Sequence, residues 1–109
     1  MKLTTLTTLC LGTLAAAIVL TPAARPDNAS ATLYKQKCAG CHGADGKADS
    51  AMGKAMKIKS FADPDVVKMT DADLSDIIEK GKGKMPAYKT LTPDQVKGLV
   101  AYIRELGKK

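Results

Sequence analysis

Cys38-Ala39-Gly40-Cys41-His42 is a C-x-x-C-H run, the spacing that attaches a c-type haem. Each thiol can add across a haem vinyl group to form a thioether. Two residues between the cysteines, on a helical turn, let both thiols reach neighbouring vinyls on one porphyrin edge. The imidazole of His42 then falls under the iron. Two tethers and one ligand therefore come from one short run, and a single covalently attached haem c on Cys38, Cys41 and His42 is the expected cofactor. The competing reading is a thiol–disulfide oxidoreductase using Cys38 and Cys41. That chemistry calls for a β-α-β pattern around the pair, and no such pattern is visible.

The 109 residues suffice for one domain. Trp is absent and Phe61 is the only Phe, so few large side chains are available to fill a centre. A chain this small buries little apolar surface unaided. A haem would act as the missing core, and the chain is expected to fold poorly before attachment. The formal net charge is +6. Residues 1–31 hold Lys2 and Arg25 against Asp27, which leaves the remainder at +5. Such a balance suits an acidic docking surface, such as that of a redox partner protein, or a membrane surface. Nucleic acid is a poor partner class, because no basic–aromatic interleaving or nucleic-acid motif is present.

The N-terminus carries one cation, Lys2, and then an apolar stretch ending Ala15-Ala16-Ala17-Ile18-Val19-Leu20. It reads as a secretory signal peptide over residues 1–23. Cleavage sites follow Thr21-Pro22-Ala23 or Ala29-Ser30-Ala31. The competing reading is an uncleaved anchor that associates with the membrane, although Leu3–Leu20 is short for a span and holds five Thr. Cys10 lies inside the apolar run, without the small residues a lipoprotein signal needs before it. Either way the domain is exported, periplasmic or its equivalent, and haem attachment to such motifs takes place outside the cytoplasm. Residues 24–30 read as a linker and 31–109 as the haem domain.

Helical signals fill that domain and no alternating strand is visible, so the fold is expected to be all-α, about four short helices around one haem. The first runs from about Ala31 into the motif. Residues 43–53 (GADGKADSAMG) read as a loop. Asp63-Pro64 can start a short helix as N-cap and N1, ending near Met69. Thr70-x-x-Asp73 resembles a capping box and opens a helix with the apolar face Leu74, Ile77 and Ile78, stopped at Gly81. Thr92-Pro93-Asp94-Gln95 starts the last helix, which carries Val96, Leu99, Val100, Ile103 and Leu106 and is closed by Gly107.

An electron-transfer haem needs a second axial ligand to stay six-coordinate. His42 is the only His, so the candidates are Met52, Met56, Met69 and Met85. Met85 is favoured on local grounds. It sits in Gly81-Lys82-Gly83-Lys84-Met85-Pro86-Ala87-Tyr88, a non-helical loop in which glycines let backbone lie close to a ring and Pro86 stiffens the chain after the sulfur. Met52 and Met56 lie near the motif, and Met69 reads as core. Met/His ligation raises the reduction potential.

The order of these parts resembles a small bacterial class I c-type cytochrome. The matching residues are Leu33-Tyr34-Lys35-Gln36-Lys37-Cys38-Ala39-Gly40-Cys41-His42-Gly43, then Gly81–Tyr88, then Leu99-Val100-Ala101-Tyr102-Ile103-Arg104-Glu105-Leu106. The resemblance implies a cytochrome c-like fold, a proximal His42, a distal Met85, and Tyr34 packed against Leu99 and Tyr102 between crossing terminal helices. It also implies a Pro after the motif whose carbonyl accepts from His Nδ1. Met56-Lys57-Ile58-Lys59 has no Pro, which leaves another backbone carbonyl as the expected acceptor. The implied activity is one-electron transfer by a monomeric carrier that is not an enzyme. Lys80, Lys82, Lys84 and Lys89 could form a positive ring beside the Met loop. The alternative is a haem-based sensor or weak peroxidase with a displaceable Met85.

Overall fold

The last helix organises the rest. In the computed structural model, which describes residues 12, 14–19 and 28–109, six helical segments follow one another: α1 (Asn28–Lys37), α2 (Ala39–His42), α3 (Ala51–Ala55), α4 (Pro64–Val67), α5 (Asp71–Lys80) and α6 (Pro93–Gly107). No strand occurs among the described residues; the only ladder-like contact there is an isolated bridge between Lys82 and Met85. The fold is all-α, as the sequence implies.

Helix α6 begins where the capping chemistry places it. The Thr92 hydroxyl accepts from Gln95 N at 3.2 Å, and the Gln95 side chain accepts from Thr92 N at 2.9 Å. The reciprocal pair satisfies two amides that helix geometry otherwise leaves open. Thr70 and Asp73 make the same box at the start of α5, at 3.0 and 3.1 Å. Along α6 the residues at helical spacing, Val96, Leu99, Val100, Ile103 and Leu106, are all buried. Leu74 and Ile78 of α5 and Tyr34 of α1 join them in one core.

Tyr34 is fully buried. Its ring lies 5.1 Å from that of Tyr102 and 6.2 Å from that of Phe61. Its hydroxyl donates to the Gly43 carbonyl at 2.7 Å, so one side chain joins α1 to α6 and also closes the turn after His42.

Arg104 braces the opposite side. Its guanidinium donates to the carbonyls of Val66 and Val67 at 3.5 and 3.4 Å and to that of Met69, and pairs with Asp71 at 3.0 Å. A short helix leaves carbonyls open near its C-terminus; that of Val66 also accepts from Met69 N at 3.1 Å. The single arginine on α6 thus fixes α4 and its junction with α5.

Several boundaries differ from the sequence reading. Helix α1 begins at Asn28 rather than near Ala31, so residues 28–30 are helix and not linker. The Ala29-Ser30-Ala31 cleavage site falls inside this helix, where Ser30 is buried. Residues 43–53 are not wholly loop. Ser50 accepts from Gly53 N at 3.0 Å and starts α3; a lone Ser among Gly and Asp carries little signal of this kind. Gly107 does not end α6 but belongs to it, and a Cβ there would stand 2.7 Å from the Phe61 carbonyl. Its smallness serves close packing rather than termination. The remaining signal or anchor and linker residues lie outside the described residues, save residues 12 and 14–19. Among the described residues no helix is long and apolar enough to cross a membrane.

Two outcomes follow for the haem-loaded protein. Replacing Arg104 by Met should cost about 2 kcal/mol, since it strands acceptors at the α4 end, and lower the thermal midpoint accordingly. Burial holds the Tyr34 phenol well above its ordinary value. A folded-state pKa above the unfolded one stabilises fully below about pH 10 and less as pH rises further. Tyr34→Phe should therefore be less stable than the wild type at pH 7, by about 1 kcal/mol for the lost hydrogen bond. The gap should narrow above about pH 10 in guanidinium unfolding.

Candidate haem-binding site

Cys38 follows α1 directly, and Cys41 and His42 end α2. The motif is held by backbone. His42 N donates to Cys38 O at 3.0 Å, and Cys38 N to Tyr34 O at 2.8 Å. The chain then turns back beneath it. Ala48 N donates to His42 O at 2.8 Å, and the Ser50 hydroxyl donates to Cys41 O at 3.0 Å. Ala48 is buried with φ +56°, a left-handed conformation unusual for alanine. A Cβ on Gly53 would lie 2.7 Å from Cys41 O. Only glycine lets α3 close against the motif at that distance.

The Met85 segment comes from the other end of the domain. Gly81, at φ +75°, ends α5. Lys82 N donates to Met85 O at 3.2 Å and Met85 N to Lys82 O at 3.0 Å, which makes a tight turn with Gly83 at φ +57°. A Cβ on Gly81 would sit 2.6 Å from Met85 O. These glycines are required by left-handed backbone and close approach.

The two arms meet on one cleft with two lobes. The inner lobe, about 170 Å³, is lined by Cys38, His42 and Met85 with Ile58, Phe61, Val66, Met69, Leu74, Ile77, Ile78, Leu91, Leu99 and Ile103. The outer lobe, about 520 Å³, is again lined by Cys38, His42 and Met85 and adds Cys41 and Met56. The four residues expected from sequence are therefore brought together. Of the other methionines, Met52 is exposed, Met56 borders the outer lobe only and Met69 the inner lobe only. Among the described residues Met85 is the one thioether that borders both.

The electrostatics suit a metal ligand. Burial lowers the His42 pKa, which favours the neutral imidazole that a metal requires. Burial also pushes the Cys38 thiol up, against the opposing pull of Lys37. A thiol held protonated is a poor redox nucleophile, which weighs against disulfide exchange. Among the described residues the buried His42 Nδ1 has no hydrogen-bond partner, so the expected backbone carbonyl does not accept from it there. What borders the imidazole instead is Phe61, stacked at 4.9 Å and 25° between planes. Phe61 is pinned by its amide donating to Gly46 O at 3.0 Å and by Gly107 behind it. As the only Phe, lying between the motif and α4, it carried a compositional hint and no positional one.

The rim also differs from the expected lysine ring. Lys82 and Lys84 border the outer lobe, but Lys80 pairs with Asp76 at 3.4 Å, and Lys89 lies on neither lobe. Lys37, Lys57 and Lys59 take their place, and no carboxylate lines either lobe. Three separate stretches contribute these lysines, a convergence invisible in linear sequence. Tyr88 borders both lobes, and its hydroxyl donates to Lys37 O at 2.9 Å.

A large apolar macrocycle with acidic edges fits this site. The walls are aliphatic and aromatic, a neutral imidazole and a thioether meet there, two thiols stand at the mouth, and the rim is cationic. Comparisons with known proteins agree. The family described as "Cytochrome C oxidase, cbb3-type, subunit III" matches residues 26–103. A solved structure named "KustC0563 c-type cytochrome" is 32% identical with a TM-score of 0.63, over 71% of this chain and 95% of that one. No curated protein matches the chain. The profile spans most of the sequence and includes both arms of the cleft, so the chain belongs to this family of c-type cytochromes, whose cofactor is a covalently bound haem c.

Proposed function

We propose that the protein is an exported one-electron carrier in which Cys38 and Cys41 hold the haem through thioethers and His42 and Met85 ligate its iron. The observation that carries this reading is the convergence of Cys38, His42 and Met85 on both lobes of one apolar cleft. When bound, the haem supplies the reversible Fe(III)/Fe(II) couple. The chain supplies the surroundings. Ile58, Phe61, Leu74, Ile77 and Leu99 exclude water from the inner lobe. Phe61 limits rotation of the His42 ring. The turn from Lys82 to Met85 presents the thioether from a rigid backbone.

Export fits both the family, whose members are usually exported, and the apolar N-terminal stretch. Cleavage after Ala23 leaves α1 whole, whereas cleavage after Ala31 would remove its first turn and buried Ser30. The docking face for an acidic partner is the outer rim, where Lys37, Lys57, Lys82 and Lys84 have no ion pair among the described residues.

Visible and near-infrared spectra of the haem-loaded protein test the ligation. The wild type should be low-spin in both redox states, with a weak near-red ferric band from sulfur ligation. That band should vanish in Met85→Ala and persist in Met56→Ala and Met69→Ala. A band unaffected by Met85→Ala would end the assignment. The docking face is tested by oxidation with anionic hexacyanoferrate(III) at low salt. Lys82→Glu and Lys84→Glu should each slow it about threefold more than Lys97→Glu, and the difference should fade above ~0.5 M salt, where screening is nearly complete. Equal slowing by all three would place the effect in net charge alone.

A further inference from the structure

The Met85 arm leaves α5 and returns to α6, with Met85, Tyr88 and Leu91 partly buried against the core. Its own hydrogen bonds are local. Lys82 and Met85 bond each other, Gly81 N donates to Ile77 O, and Tyr88 N donates to Ile78 O at 3.0 Å. Among the described residues, one hydrogen bond alone joins this arm to the half of the chain that carries the cysteines. It runs from the Tyr88 hydroxyl to the carbonyl of Lys37, at 2.9 Å and across 51 positions of sequence. Lys37 ends α1 and immediately precedes Cys38. The phenol ring between these two anchor points borders both lobes of the cleft.

We propose that Tyr88 is a clasp, a positioning residue that holds the Met85 arm shut against the haem-bearing segment. The proposal rests on the reading of Met85 as an iron ligand. The physical argument is one of leverage. Pro86 and Ala87, between the thioether and Tyr88, are exposed, so the span is held at its two ends, by the partly buried Met85 and Tyr88. The anchor at Ile78 ties the Tyr88 amide to α5 and does not reach the segment that carries the cysteines. Only the hydroxyl spans the mouth. The Lys37 carbonyl lies near the α1 C-terminus, where carbonyls lack helical partners and carry partial negative charge, so it is a ready acceptor. Closing the arm in this way sets the balance between a shut, six-coordinate carrier and an open site that takes outside ligands. The second activity considered for the sequence, ligand sensing or peroxide chemistry, would need that open state.

Tyr88→Phe keeps the ring and removes the clasp. In the ferric haem-loaded protein, imidazole can replace Met85, the iron–sulfur bond breaking as an iron–nitrogen bond forms, with no change of oxidation state. Tyr88→Phe should bind imidazole roughly 3- to 10-fold more tightly, the weight of one net hydrogen bond. It should keep the near-red sulfur band when imidazole is absent. Hydrogen exchange supplies the second readout. The Lys82 and Met85 amides should exchange faster by a similar factor, while Val100 and Ile103 in α6 stay unchanged. Unchanged imidazole affinity and unchanged exchange at Met85 would overturn the clasp, and so would equal acceleration in α6, which marks general destabilisation. If Met85→Ala leaves the sulfur band intact, the ligation reading itself fails. A clasp that fails while Met85→Ala abolishes the band leaves that reading standing.

Discussion

The contact of α1 with α6 at Tyr34 is the interaction on which the site depends. A domain with so few large side chains cannot fill its centre, so it must keep its two ends together by other means. Tyr34 does this with a ring buried against Tyr102 and Phe61 and a hydroxyl bonded to Gly43. Its position one turn before Cys38 means that the contact orders the haem motif as well as the helix pair. Remove that anchor and the motif remains intact in sequence but loses its place in space.

From this crossing the cleft is built by layers. Phe61, held under Gly46 and Gly107, passes the order of the core to the His42 ring. Arg104 ties the α4 carbonyls to α6, so Val66 and Met69 stand as a wall rather than a mobile turn. On the far side, α5 ends in a left-handed glycine that turns the chain back toward the motif. The result is an apolar cavity in a cationic rim, shaped for a ligand with an apolar body and negative edges.

Much of this was legible from local chemistry. C-x-x-C-H is a covalent constraint, so spacing alone specifies it. Both capping boxes and the apolar face of α6 follow from helical geometry within a few residues, and all three are seen. Local reasoning failed where neighbours supply the cause. Gly107 looked like a helix stop, yet Phe61 needs its smallness. Residues 43–53 read as loop, yet Ser50 starts a helix there because it also bonds the motif at Cys41.

The sequence by itself determined the C-x-x-C-H spacing of Cys38, Cys41 and His42, the all-α class and the starts of α4, α5 and α6, because each depends on residues close together in the chain. Only the tertiary structure decided which lysines rim the cleft, that Phe61 stacks on His42, and that Tyr88 reaches Lys37. Those pairings join segments distant in sequence. Their partners are chosen by how the helices pack, which no local pattern encodes.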